Sequence, residues 1–251
     1  MDRRRTLIAI PGFVLASAVA PSALAFKLDG MLGAAKDAAK AATLTDEEVA
    51  AYAAQMAEHA DAESKVAPAN DKYAKRLAGL TQGLGDEKGL KLNFKVYLTE
   101  EINAFAMADG SIRMYSGLME AMTDDEVRYV IGHEIGHVKA GHSRKRMQTA
   151  LATSATQKAA ASSGGTVGAL AESELGELMT QVIRAQHSQG NEKEADDYAF
   201  DFMTRRKYDR MAAVTALEKL DKMFGGGRKT DWLSTHPAPK ERAERMRARL
   251  G

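Results

Sequence analysis

His133-Glu134-Ile135-Gly136-His137 sets two histidines four residues apart, with a glutamate directly after the first. On an α-helix residues i and i+4 share a face, so both imidazoles can reach one ion. Glu134 then stands beside that ion, where its carboxylate can take a proton from a water. This H-E-x-x-H spacing is the one that zinc-dependent peptide hydrolysis uses, so it specifies a reaction as well as a binding site. The plainer alternative is a polar helix face with two solvated histidines. The flanking residues oppose it, because Val127, Val130, Ile131, Ile135 and Val138 recur at helical spacing and predict a buried helix over 123–141. Thr123 can cap that helix, and Asp124, Asp125 and Glu126 suit its positive N-terminus. Gly132 and Gly136 each cost about 1 kcal/mol of helix propensity against alanine. A helix tolerates that cost where something must approach closely, and a metal cleft is one such thing.

The 251-residue chain is long enough for one or two domains with a sizeable core, and its 45% hydrophobic and 27% charged content suits a globular protein. A formal charge of +1 gives no case for nucleic-acid binding. Abundant alanine and few aromatics point to a mainly helical fold. At the N-terminus, Arg3, Arg4 and Arg5 precede an apolar stretch from Leu7 to Ala20, and Ala23-Leu24-Ala25 fits a small-x-small cleavage rule. Residues 1–25 therefore read as a signal peptide cut after Ala25; the stretch is short for a membrane span and contains Pro11 and Gly12. The arginines leave a twin-arginine export route open. The chain has no cysteine, so neither disulfides nor a lipidated cysteine anchor is expected. A periplasmic protein, or a secreted one, is the expectation.

Residues 26–69 read as a helical lead-in and 70–250 as the catalytic domain. Thr45-x-x-Glu48 resembles a capping box opening a helix to about Val66, Pro68 breaks it, and Asn70 can cap a second helix to about Leu84. Leu92–Leu98 alternates as a strand, and 103–108 and 111–115 read as two more, joined at Asp109-Gly110. Residues 149–171, mostly Ala, Ser, Thr and Gly, suggest a helical hairpin or a flap over the site. One long helix is expected over 172–207, another over 209–224, and a last one over 239–250.

A catalytic zinc takes three protein ligands and keeps one position open for water. A third histidine in the H-E-x-x-H-x-x-G-x-x-H register is missing, since Ala140 and Ser143 stand at the required positions. His142 is one residue out of register and is expected to face elsewhere. Glu192-Lys193-Glu194-Ala195-Asp196 offers carboxylates on a second helix: Glu192 and Asp196 share a face, one able to ligate, the other able to accept a hydrogen bond from the far nitrogen of a ligating histidine. Glu194 points away and is expected in solvent. By spacing alone this cluster fits an exposed helix face equally well.

Further stretches carry a resemblance. They are Asn103-Ala104-Phe105-Ala106-Met107-Ala108-Asp109-Gly110-Ser111-Ile112, Tyr115-Ser116-Gly117-Leu118-Met119, Val130–Val138, Glu192-Lys193-Glu194-Ala195-Asp196-Asp197-Tyr198 and Ser234-Thr235-His236-Pro237. In this order, across about 70–245, the chain resembles the HtpX/BepA/LoiP family of gluzincin metallopeptidases, and most of all its periplasmic LoiP branch. The resemblance implies an α+β, mainly helical, zincin-like catalytic domain with a small sheet and the H-E-x-x-H helix. It implies one Zn2+ per chain on His133, His137 and Glu192, with Glu134 as general base. Asn103, Ala104, Phe105 and Ala106 become the strand along which an extended substrate pairs. His236 has two readings: it stabilises the developing oxyanion, or it approaches the zinc and closes the site in a resting form. Arg242 on the next helix is a candidate to orient that segment. Many LoiP-like proteins carry a lipid anchor, which the absence of cysteine argues against here. The expected substrates are unfolded or misassembled envelope proteins. A chaperone-like or scaffold protein that keeps the fold with little proteolysis is the competing reading, and an intact Glu134 argues against it.

Overall fold

In the computed structural model the described residues are 45–161, 172–225 and 231–251. The expected signal peptide and residues 162–171 of the Ala/Ser/Gly segment, with Gly164-Gly165, lie outside them. The architecture is mainly helical, as expected, with two small sheets where one is expected.

Helix α1 (Asp46–Glu63) opens on the expected capping box: the Thr45 hydroxyl accepts from the Glu48 N–H, and the Glu48 carboxylate accepts from the Thr45 N–H at 2.9 Å. Helix α2 (Lys72–Leu80) is capped by Asp71 rather than Asn70, with Asp71 Oδ1 accepting from the Tyr73 N–H at 2.7 Å. A two-stranded ribbon that the sequence reading does not anticipate follows, β1 (Asp86–Glu87) with β2 (Leu90–Lys91). The three predicted strands form one sheet in the order β3 (Asn93–Tyr97), β5 (Ser111–Tyr115), β4 (Ala104–Ala106). β3 runs parallel to β5, while β4 pairs antiparallel with it and holds an edge. β4 is shorter than the expected 103–108.

After the short helix α3 (Ser116–Ala121) comes α4 (Asp124–Lys139), the H-E-x-x-H helix. Thr123 and Glu126 close a capping box at its start, and it is buried on nearly every side from Glu126 to His137. Helix α5 (His142–Ala161) leads into the segment read as hairpin or flap. The single helix expected over 172–207 is instead two, α6 (Glu172–Arg184) and α7 (Gln189–Arg206). The break has a local cause: the Ser188 hydroxyl accepts from the Asn191 N–H at 3.1 Å and starts α7 afresh. Helices α8 (Met211–Gly225), α9 (Asp231–Thr235) and α10 (Pro239–Ala248) complete the chain. No helix among the described residues is long and apolar enough to cross a membrane.

Two apolar cores flank the sheet. Ile112 and Met114 face the larger, with Val127, Val130 and Ile131 of α4, Phe202 of α7 and Leu217 of α8. Tyr97, Phe105 and Met107 face the smaller, with Tyr52 and Met56 of α1, Met147 of α5 and Leu178 of α6. Buried Arg113 of β5 forks onto Asp61 of α1 at 2.8 and 3.0 Å, and the Tyr97 hydroxyl joins at 2.8 Å. Burial alone would raise the Asp61 carboxyl, but Arg113, Lys95 and Tyr97 hold it below the usual carboxylate range. This paired charge ties α1 to the sheet.

The glycines of α4 meet a neighbouring helix, which corrects the expectation that the metal itself needs the room. A Cβ on Gly132 would lie 2.8 Å from the Phe202 ring, and one on Gly136 would lie 3.0 Å from Ala195 Cα and from its carbonyl oxygen. Both obstacles belong to α7. Gly136→Val should destabilise the fold by about 1–3 kcal/mol, the usual cost of overpacking. Urea unfolding checks this; a change within about 0.5 kcal/mol would show that α4 and α7 need not approach so closely.

Candidate metal centre

Helix α4 presents His133 and His137 one turn apart, both buried, with their Nε2 atoms 3.0 Å from one another. Close packing of α7 brings Glu192 to 3.2 Å from His137 Nε2 and 3.5 Å from His133 Nε2. His236, just beyond α9, places Nδ1 3.2 Å from His133 Nε2 and 3.1 Å from Glu192 Oε1. One donor atom from each of the four residues lies within 4.8 Å of all the others. Tetrahedral ligands at the usual zinc distance of ~2.0–2.1 Å stand about 3.3 Å apart. The donor set therefore fits one small cation in both chemistry and spacing.

The charge pattern agrees. Burial would raise the Glu192 carboxyl, but His236, Arg242 and His133 hold it far below its ordinary range as a carboxylate. Burial alone would lower His133, yet the Glu192 carboxylate beside it pushes its imidazole up to about 9. His137 stays well below its usual value, chiefly through burial. A cation between the rings would need a lone pair from each and so would compete with protons there.

Asp196 lies one turn beyond Glu192 on α7 and is fully buried. Its Oδ1 stands 3.0 Å from His133 Nδ1 and accepts from the Tyr129 hydroxyl at 2.7 Å. Arg242 of α10 donates to both Asp196 oxygens, at 2.9 and 2.7 Å, and reaches Glu192 Oε2 at 2.5 Å. Arg242 thus braces the two carboxylates directly. It bears on His236 only indirectly, its guanidinium lying over the Trp232 ring, which stacks on His236 at 4.5 Å.

Glu134 is buried beside the cluster and outside it. Its Oε1 has no hydrogen-bond partner and sits 3.6 Å from His236 Nε2. An unpartnered buried carboxylate oxygen next to a cation site is poised to bind a water proton. β4 supplies the neighbouring edge: Ala104, Phe105 and Ala106 are buried, and the Asn103 side chain turns back to accept from the Ala104 N–H at 2.9 Å.

His142, which sequence reasoning set aside as a ligand, also gathers here with His187 and Arg146, which it passed over. His142, expected to face elsewhere, puts Nδ1 3.0 Å from His137 Nδ1. His187 stacks on the His137 ring at 3.8 Å between centroids, and Arg146 donates to its Nε2 at 2.7 Å. His133, His137, His142, His187 and His236 are five of the six histidines in the chain. That convergence is invisible along the sequence, because a lone histidine in a helix break carries no pattern. Glu194 is exposed as expected, but it meets His142 Nε2 at 3.3 Å.

Arg242→Met should cost about 3–5 kcal/mol of stability even without metal, because it strands Asp196 and Glu192 as buried charges. Denaturant melts of the metal-free protein check this, and a loss under about 1 kcal/mol would show that Arg242 does not balance them.

Residues 71–250 match peptidase family M48. The chain is 45% identical over 223 residues to the metalloprotease LoiP of Escherichia coli (strain K12), covering 88% of each chain. It is 40% identical over 215 residues to the metalloprotease YcaL of the same organism, covering 85% of this chain and 84% of that one. The β-barrel assembly-enhancing protease of Escherichia coli (strain K12) is 30% identical over 171 residues, 64% of this chain and 35% of its own. With a buried His/Glu cluster on its H-E-x-x-H helix, the chain belongs to peptidase family M48 and is a metallopeptidase.

Proposed function

We propose that this chain is a zinc endopeptidase of the cell envelope that hydrolyses unfolded or misassembled proteins. The observation that carries the reading is Glu134, a buried carboxylate with an unpartnered oxygen beside a four-residue donor cluster. His133, His137 and Glu192 would hold the zinc, which supplies Lewis acidity to a water and to the scissile carbonyl. Glu134 takes the proton of the attacking water and returns it to the leaving amine. Asp196 keeps the far nitrogen of His133 as a donor, so the near one presents its lone pair. β4, an edge strand among the described residues, would take an extended peptide through main-chain hydrogen bonds, which read little of the side chains. Such recognition suits an unfolded substrate. The signal-like residues 1–25 and a relative named for β-barrel assembly support a periplasmic site of action, with secretion as the variant.

For His236, the position of Nδ1 among the donor atoms favours the resting-form reading over oxyanion stabilisation. In that form it fills the position a water would need.

Mature protein beginning at Phe26, incubated with casein and one zinc equivalent, should cleave it. Glu134→Gln should keep its zinc and lose turnover by about 10²–10⁴-fold. Zinc in both proteins with cleavage by neither would move the reading to the scaffold alternative. His236→Ala should raise casein turnover several-fold at unchanged zinc content; lower turnover would assign His236 to the oxyanion, and no change would remove it from both roles.

A further inference from the structure

The two histidines of α4 are held from behind in different ways, and only one of those ways follows from the motif. Asp196 meets His133 Nδ1 directly. Among the described residues no carboxylate meets His137 Nδ1; another imidazole does. His142 opens α5, and α4 ends at Lys139, so the two residues do not belong to one continuous helix. Gly141 between them has φ +73°, a left-handed backbone conformation that L side chains rarely adopt. That turn folds the chain back and sets His142 Nδ1 at 3.0 Å from His137 Nδ1. On an unbroken helix, a residue five places on would point away, which is why the spacing alone misleads.

We propose that His142 is a positioning residue for His137, and that Glu194 completes the arrangement. The proton assignments leave one consistent pattern. His137 Nε2 faces the donor cluster and must present a lone pair to any cation there, so its proton belongs on Nδ1. His142 Nδ1 is then the acceptor, and the His142 proton belongs on Nε2. That nitrogen stands 3.3 Å from the Glu194 carboxylate, which only accepts. The chain is His137 Nδ1–H to His142 Nδ1, then His142 Nε2–H to Glu194 Oε2. His187, stacked on the face of the His137 ring, limits tilt but makes no such bond to Nδ1. The first link is buried, whereas the Glu194 side chain is 66% exposed. His142 should therefore matter much more than Glu194.

This inference rests on the reading of the cluster as a zinc site, and the experiment separates the two. Zinc affinity is measured by chelator competition at one pH, with far-ultraviolet circular dichroism as the check on folding. His142→Leu keeps bulk and removes the acceptor, and should weaken zinc binding by about 10–100-fold. His142→Asn sets an amide oxygen near the place of Nδ1 and should recover most of that loss. Glu194→Ala should cost only a few-fold. Independently of zinc, the imidazole 15N shifts of the metal-free wild type should show His137 as the Nδ1–H tautomer. Wild-type affinity in His142→Leu, an Asn variant as weak as Leu, or an Nε2–H tautomer at His137 would each overturn the proposal. Should His142→Leu fail to fold, the Asn variant and the tautomer still decide. A wild type that binds no zinc would sink the metal reading, leaving the tautomer to judge the relay.

Discussion

The centre depends on how closely α4 and α7 approach. A glutamate side chain is short, so the helix carrying Glu192 must run almost in contact with the helix carrying His133 and His137. Both helices give up side-chain volume to allow this. Gly132 and Gly136 on one side meet Ala199 and Ala195 on the other, all at four-residue spacing. The chemical residues repeat the same period beside them: 133 and 137 on α4, 192 and 196 on α7. One helical repeat therefore serves two ends, a seam of small residues that closes the gap and a row of ligating groups that uses it. Widening the seam would separate the histidines from both carboxylates together.

Such proximity concentrates charge in a dry place. Glu192 and Asp196 are both held as carboxylates, and one guanidinium, Arg242, lies against both. Burying that set costs several kcal/mol per ion unless the charges close on one another. Two negatives against one positive leave this set short of positive charge. A divalent cation is the natural partner for that deficit. The same arithmetic explains Arg242 on α10, far along the chain from both carboxylates: burial would drive its proton off, yet Asp196 and Glu192 raise it above its usual value. The last helix of the fold is thus tied to the centre electrostatically.

Much of this was legible beforehand because local rules and tertiary demands coincide. The capping box at Thr45 and the cap at Thr123 name the starts of α1 and α4, and the apolar period of α4 names its burial. β3 falls inside the alternating stretch Leu92–Leu98 and β5 on the expected 111–115, and the i,i+4 pairing of Glu192 with Asp196 places both on the inward face of α7. Other features escaped for physical reasons. The break before α7 depends on a serine hydroxyl competing with the helix backbone, and serine occurs in many helix interiors too. Asp71 took the cap from Asn70, a choice between adjacent residues that differ little in capping strength. The place of His142 behind His137 was not legible because one left-handed glycine resets the helical phase, and that of His187 because its neighbours are distant in sequence.

The donors also differ in how they are mounted. His133, His137 and Glu192 sit on helices of 16 and 18 residues whose inner faces are buried. His236 follows α9, a helix of five residues. Its backbone ties include the His236 N–H, which donates to the Trp232 carbonyl at 2.8 Å, and the Thr235 carbonyl, which accepts from the His187 N–H at 2.9 Å. Trp232 in turn donates to the Ile102 carbonyl, just before the β4 edge, at 3.4 Å. Local opening costs least where few bonds must break, so a donor that has to leave the cluster is better carried on such an element than on α4 or α7. The proposed division follows from that mounting: three groups on long helices to hold the ion, and one just beyond a five-residue helix, stacked against Trp232, to stand in the position a water would need.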